Sequence, residues 1–118
     1  MTLLCHRIRL KPGSVPRVRE WAAELVRRAD EVMATLREET VRLESAFLEE
    51  GKDGDFLVYV MRVDDLAASR AAAERSTHAI DAYHRAFMRD VIESRQELEL
   101  LIDFDRAEEC RMGGGGPA

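Results

Sequence analysis

The residues best suited to chemistry lie in one stretch, Ser76-Thr77-His78-Ala79-Ile80-Asp81-Ala82-Tyr83-His84-Arg85-Ala86-Phe87-Met88. It holds two of the chain's 3 histidines. Asp81 and His84 are three residues apart, so on a helix both side chains fall on one face. An imidazole titrates near neutral pH and can give or take a proton. A neighbouring carboxylate favours its charged form and orients the ring. The chemistry this pair suggests is acid–base catalysis, with His84 as acid or base and Asp81 as its orienting partner. The same spacing also serves an ordinary surface pair, and the two readings differ by the direction the helix faces.

Other catalytic patterns are missing. The histidines at 6, 78 and 84 form neither HxH nor HxxxH, so no zinc-type spacing is present. The glycines belong to a hairpin and a tail, not to a phosphate-binding loop. No order of Ser, His and Asp, or of Cys and His, marks a nucleophilic triad. His78 suits a loop or cap, His6 a satisfied strand position, and Cys5 a small core residue. The methionines at 33, 61, 88 and 112 read as filler or tail.

The chain has 118 residues, enough for one domain and one core. We expect that domain over residues 1–106, with a tail over 107–118. Charged residues make up 35% and the net charge is −5, but arginines and acids interleave throughout. That argues against nucleic acid, which needs a concentrated basic stripe. Thr2 to Cys5 is too short for a signal peptide, and no apolar run approaches the roughly 20 residues of a membrane span. Cys5 and Cys110 fit no disulfide framework, so reduced thiols and a cytoplasmic location are expected.

Periodicity gives the elements that must position these groups. Leu3 to Leu10 alternates as a strand. Lys11-Pro12-Gly13-Ser14 breaks it, with Ser14 a candidate N-cap. Val18, Trp21, Leu25, Val32 and Leu36 make one apolar stripe, predicting a single helix from Val15 to about Glu39. Val41 to Glu49 is a second strand, and Gly51-Lys52-Asp53-Gly54 a hairpin. Phe56 to Val63, apolar on both faces, reads as a central strand. Asp64-Asp65 caps a helix from Leu66 to about Arg75, and Ser76-Thr77 caps another from about His78 to Ser94. Alternation of Leu98, Leu100, Ile102 and Phe104 predicts the last strand. The order is β-α-β-β-α-β with the second helix split: an α+β, ferredoxin-like fold, a four-stranded antiparallel sheet with its helices on one face.

Helices cover one face of such a sheet. By parity the other is expected to carry some of Cys5, Arg7, Glu44, Leu48, Leu57, Tyr59, Met61 and Leu101, too apolar a set for water, which predicts a two-fold homodimer. Arg7 and Glu44 are the expected ion pair on that face.

Cys5-His6-Arg7-Ile8-Arg9-Leu10-Lys11-Pro12-Gly13, Arg19-Glu20-Trp21, Val41-Arg42-Leu43-Glu44-Ser45-Ala46-Phe47 and Ile80-Asp81-Ala82-Tyr83-His84 together resemble the dimeric α+β barrel superfamily. That superfamily includes antibiotic-biosynthesis-monooxygenase-like proteins, haem-degrading monooxygenases and small polyketide cyclases. More narrowly, the chain resembles a functionally uncharacterised group of short proteins within it. The resemblance implies a homodimer and a cofactor-independent monooxygenase, cyclase or isomerase acting on an aromatic or polyketide-like small molecule. In the pocket between sheet and helices that the resemblance implies, residue chemistry makes His84 and Asp81 the expected catalytic residues, with Arg7, Tyr59, Glu44 and Tyr83 against the substrate. Two alternatives stay open: a haem-binding member with His84 or His78 as axial ligand, and a non-catalytic homodimer that binds a ligand or partner.

Overall fold

The computed structural model describes residues 1–107 and 109; the expected tail, with Cys110 and Met112, lies almost wholly outside them. The strands β1 (Thr2–Leu10), β2 (Val41–Gly51), β3 (Gly54–Val63) and β4 (Ile92–Glu97) form one antiparallel sheet in the order β2-β3-β1-β4. The helices are α1 (Val15–Arg27), α2 (Ala29–Glu38), α3 (Leu66–Arg75) and α4 (Ala79–Val91). This is the expected ferredoxin-like arrangement, with the doubly apolar β3 in the interior of the sheet. Among the described residues, no helix is long and apolar enough to cross a membrane.

The first helix is not continuous. Arg28 leaves helical geometry (φ −106°, ψ 34°) while its guanidinium bonds Glu31 on the following turn. The bend lets one apolar stripe serve two parts of a twisted sheet. Val18 and Trp21 on α1 join Ile8, Leu10, Leu57, Tyr59, Phe87 and Val91, whereas Leu36 on α2 joins Val41 and Val63. Burying one such aliphatic or aromatic side chain is worth about 1.5–3 kcal/mol.

Caps follow local chemistry. Asp65 Oδ1 accepts from Ala68 N at 3.0 Å. Ser14 occupies the N-cap of α1 but makes no side-chain cap; its carbonyl accepts from Val18 N at 2.9 Å. His78, not Ser76 or Thr77, is the N-cap of α4, and Ser76 Oγ accepts from His78 N at 3.2 Å.

The last strand is displaced from its expected place. β4 follows α4 at once, and its sequence Ile-Glu-Ser-Arg-Gln-Glu is mostly polar. As an edge strand it needs backbone pairing with β1 more than apolar side chains. Residues 98–104 form no strand, and Leu100, Leu101, Ile102 and Phe104 are exposed. The segment is held by Leu98 N on Cys5 O at 2.8 Å and by Arg62, which pairs with Asp103 at 2.7 Å and Asp105 at 3.2 Å.

The two faces of the sheet also differ from expectation. Residues directly opposite across antiparallel strands share a face. His6 pairs with Tyr59, Ile8 with Leu57, Ala46 with Tyr59, and Glu44 with Met61. Tyr59 and Leu57 are buried in the core with Trp21 and Phe87. Glu44, Leu48, Leu57, Tyr59 and Met61 therefore face the helices. The uncovered face carries Leu3, Cys5, Arg7, Leu43, Phe47, Phe56, Val58, Val60 and Arg62. Arg7 pairs there with Glu49 at 3.0 Å and stacks 3.6 Å from the Phe56 ring centroid, so the expected Arg7–Glu44 pair does not form.

Candidate functional site

Four elements meet where the helices cover the sheet. Trp21 comes from the apolar stripe of α1, Glu44 and Tyr59 from facing strands β2 and β3, and His84 from α4. The ring centroids of Trp21 and His84 are 5.7 Å apart, those of Tyr59 and His84 6.1 Å, and those of Trp21 and Tyr59 6.3 Å. Phe87 stacks on Trp21 at 4.5 Å and fixes the indole.

Two hydrogen bonds set the polarity of the cluster. Trp21 Nε1–H donates to His84 Nδ1 at 3.1 Å. An indole N–H only donates, so Nδ1 must be unprotonated and the ring proton of neutral His84 sits on Nε2. Burial pushes the His84 pKa down from 6.5 to about 4; the Asp81 carboxylate opposes this, and Arg95 and Arg85 add to it. His84 is thus neutral at pH 7, an N–H donor rather than an imidazolium. Tyr59 Oη donates to Glu44 Oε1 at 2.6 Å. Burial holds the Glu44 carboxyl above its ordinary range, opposed by the Tyr59 hydrogen bond and assisted by Asp81. Tyr59 is raised by burial first and then by Glu44, so it stays a phenol.

A cavity of about 320 Å³ adjoins the cluster, lined mainly by Trp21, Leu25, Val32, Met33, Glu44 and Tyr59. It opens to solvent past Val26 and Met33, which are 77% and 50% exposed. Among the described residues, its ionisable lining groups are Glu44 and Tyr59. A recess of about 30 Å³ shares Leu25, Val32, Glu44 and Tyr59 with it and adds Thr35, Ile80, Asp81 and His84.

Residues 1–109 match the family of unknown function DUF6176. The chain belongs to this family. No protein of curated function matches it. The DUF6176 fold is also found in solved structures. L-rhamnose mutarotase from Formosa agariphila is 18% identical with a TM-score of 0.57, over 89% of this chain and 100% of that one. A protein from Agrobacterium tumefaciens is 18% identical with a TM-score of 0.57, over 83% and 89%. An uncharacterised NIPSNAP domain protein from Burkholderia xenovorans is 18% identical with a TM-score of 0.55, over 87% and 95%. At this identity the likeness is one of fold, that of the dimeric α+β barrel proteins.

The six site residues singled out in the DUF6176 sequence separate into three places. His84, Glu44 and Tyr59 come together. Asp81 lines the same recess, but it accepts from Ser76 Oγ rather than bonding His84. Tyr83 lies at the α1–α4 seam, its hydroxyl accepting from Arg17 Nη1 at 3.4 Å. Arg7 lies on the opposite face of the sheet and reaches none of the others, because β1 turns its odd-numbered side chains away from the helices.

Trp21 was legible in the sequence only as a core residue. Its signal was chemical: a buried indole N–H needs an acceptor. Glu39, at the end of α2, carried no signal. It is half-buried, and burial with Asp81, Glu44 and Glu38 raises its pKa from 4.5 to about 7.

Both candidate histidines have one ring nitrogen engaged. Nδ1 of His84 accepts from Trp21. His78 Nε2 faces Glu38 Oε2 at 2.8 Å. Among the described residues, no three His, Cys, Asp or Glu side chains are grouped to hold a metal ion.

Proposed function

We propose that this protein is a small-molecule enzyme that moves a proton on an aromatic or polyketide-like substrate bound between the sheet and α1, α2 and α4. One observation carries this: a partly buried carboxyl and neutral imidazole and a buried phenol gather at the inner wall of an otherwise apolar cavity. Burying polar groups is costly, and their clustering in a cleft with displaced pKa values is typical of functional sites.

In this reading Glu44 is the general base. Its raised pKa makes it a stronger base than an exposed carboxylate. Tyr59 holds one carboxylate oxygen and leaves the other for the substrate. The Nε2–H of His84 donates to oxygen on which charge develops, the use a neutral imidazole allows. Asp81, tied to Ser76, keeps the start of α4 in place. Isomerisation, cyclisation and oxygenation of an enol by molecular oxygen all begin with such a proton removal. The apolar lining favours an aromatic or polyketide-like body over a sugar, which needs many hydrogen-bond partners.

The test is deuterium exchange. 2-Tetralone, an enolisable aromatic ketone, is incubated with the protein in D₂O and C–H exchange followed by NMR. The protein should accelerate exchange, and Glu44→Gln should lower the acceleration by about 10²-fold or more. Equal exchange with the wild type and Glu44→Gln would remove Glu44 from the base role.

A second element of the reading is assembly. The uncovered face carries Phe47 (61% exposed) and Leu43 (44%), and the exposed apolar residues of 98–104 border it. We infer that a second copy of the chain covers this face. Light scattering should give twice the chain mass, and Phe47→Asp should give the monomer. A monomeric wild type at micromolar concentration would refute it.

A further inference from the structure

The proton-transfer reading leaves the substrate's functional group unnamed, and the geometry narrows it. The larger cavity offers an incoming molecule apolar contact almost everywhere. The recess offers room for about one or two water-sized groups. The two spaces meet at Leu25, Val32, Glu44 and Tyr59, so one ligand can occupy both.

The hydrogen-bonding character of the recess is mixed. Glu44 accepts on its second oxygen, and Asp81 accepts. His84, its Nδ1 taken by Trp21, has an N–H left to give. Thr35 is spoken for, its hydroxyl donating to Val32 O at 2.8 Å. Among the described residues no arginine or lysine lines either space, and Arg7, the cation expected against the substrate, is on the other face of the sheet.

A carboxylate or phosphate only accepts; it would face Glu44 and Asp81 with no cation among the described lining residues to pair with it. An ammonium only donates, and would leave the His84 N–H without a partner. A hydroxyl does both: it donates to Glu44 and accepts from His84, and it is small enough for the recess. We propose that the site takes an uncharged apolar phenol, enol or alcohol whose single hydroxyl seats in the recess between Glu44 and His84, with its hydrocarbon body in the larger cavity. This rests on the proton-transfer reading and deepens it, since the seated hydroxyl presents its proton to the proposed base.

Calorimetric titration with probes sharing one hydrocarbon body tests this without any assumed turnover. 2-Naphthol should bind at least about tenfold more tightly than 2-naphthoate, naphthalene-2-methylammonium or 2-methoxynaphthalene, the last lacking the donor and overfilling the recess. His84→Ala should reduce that preference to below about threefold. Ala22→Trp, which narrows the cavity mouth from an exposed helix position, should abolish binding of all four. Binding of 2-naphthoate or the ether within twofold of 2-naphthol overturns the hydroxyl assignment while leaving the cavity a binding site. Binding that persists in Ala22→Trp overturns the placement of the ligand. Failure of all four probes to bind at millimolar concentration overturns the cavity itself, and the proton-transfer reading with it.

Discussion

Trp21 donates its indole hydrogen to Nδ1 of His84, and this one bond decides what the histidine can do. It fixes the tautomer, orients the ring and leaves only Nε2–H to face a ligand. Trp21→Phe keeps the stack on Phe87 and removes the donor. In ¹⁵N NMR, His84 of the wild type should show one tautomer, protonated on Nε2, and the variant a mixture of both. Stability should fall by about 1 kcal/mol, the usual worth of one such bond.

The pH dependence of stability should carry a signature of His84. Its folded pKa is about 4 against 6.5 unperturbed, so between these values the unfolded chain binds a proton that the folded one does not. Stability therefore falls as pH drops from 6.5 to 4, by an amount on the order of 3 kcal/mol from this group alone. Urea unfolding across that range should show a shallower loss for His84→Gln than for the wild type. Parallel curves would mean that the imidazole is not desolvated.

Glu39 should act in the opposite sense. Its folded pKa is raised from 4.5 to about 7, so the folded chain holds the extra proton in that window and stability falls as pH rises through it. Glu39→Gln should match the wild type near pH 4 and exceed it at pH 8. The group is half-exposed, so the gain should stay below about 1 kcal/mol. Denaturant midpoints at the two pH values read it directly.

The fold was legible because hydrophobic period follows the elements closely where both faces of an element are constrained. β3 is apolar on both sides and lies inside the sheet; the α1–α2 stripe finds the core. Legibility failed where pairing, not burial, decides. β4 is polar because an edge strand needs only its backbone, while the alternation of Leu98 to Phe104 serves a surface rather than the sheet. Face assignment failed for a related reason. Period two says which residues share a face within one strand, but not how the faces of two strands are matched; the β1–β3 and β2–β3 register does that. So Glu44, Tyr59 and His84 were nameable as candidates, whereas the exclusion of Arg7 and the entry of Trp21 required the packed structure.

The pairing of Arg62 with Asp103 and Asp105 fastens residues 98–105 to the uncovered face. Asp103→Asn should loosen the segment, raising amide hydrogen exchange over 98–104 about fivefold while leaving exchange in β3 unchanged. A carboxylate pair of this kind is worth roughly 1 kcal/mol, which sets the size of the change.

The alternation of β1 gives the molecule two independent ledges on one strand. His6 and Ile8 look toward the cavity side, Cys5 and Arg7 toward the open side, and only backbone joins them. Substitutions on the even positions act on the helix-side core that backs Trp21 and Tyr59, and substitutions on the odd positions act on the open face. A change on one ledge therefore leaves the side chains of the other untouched, and the two faces of the sheet can vary separately.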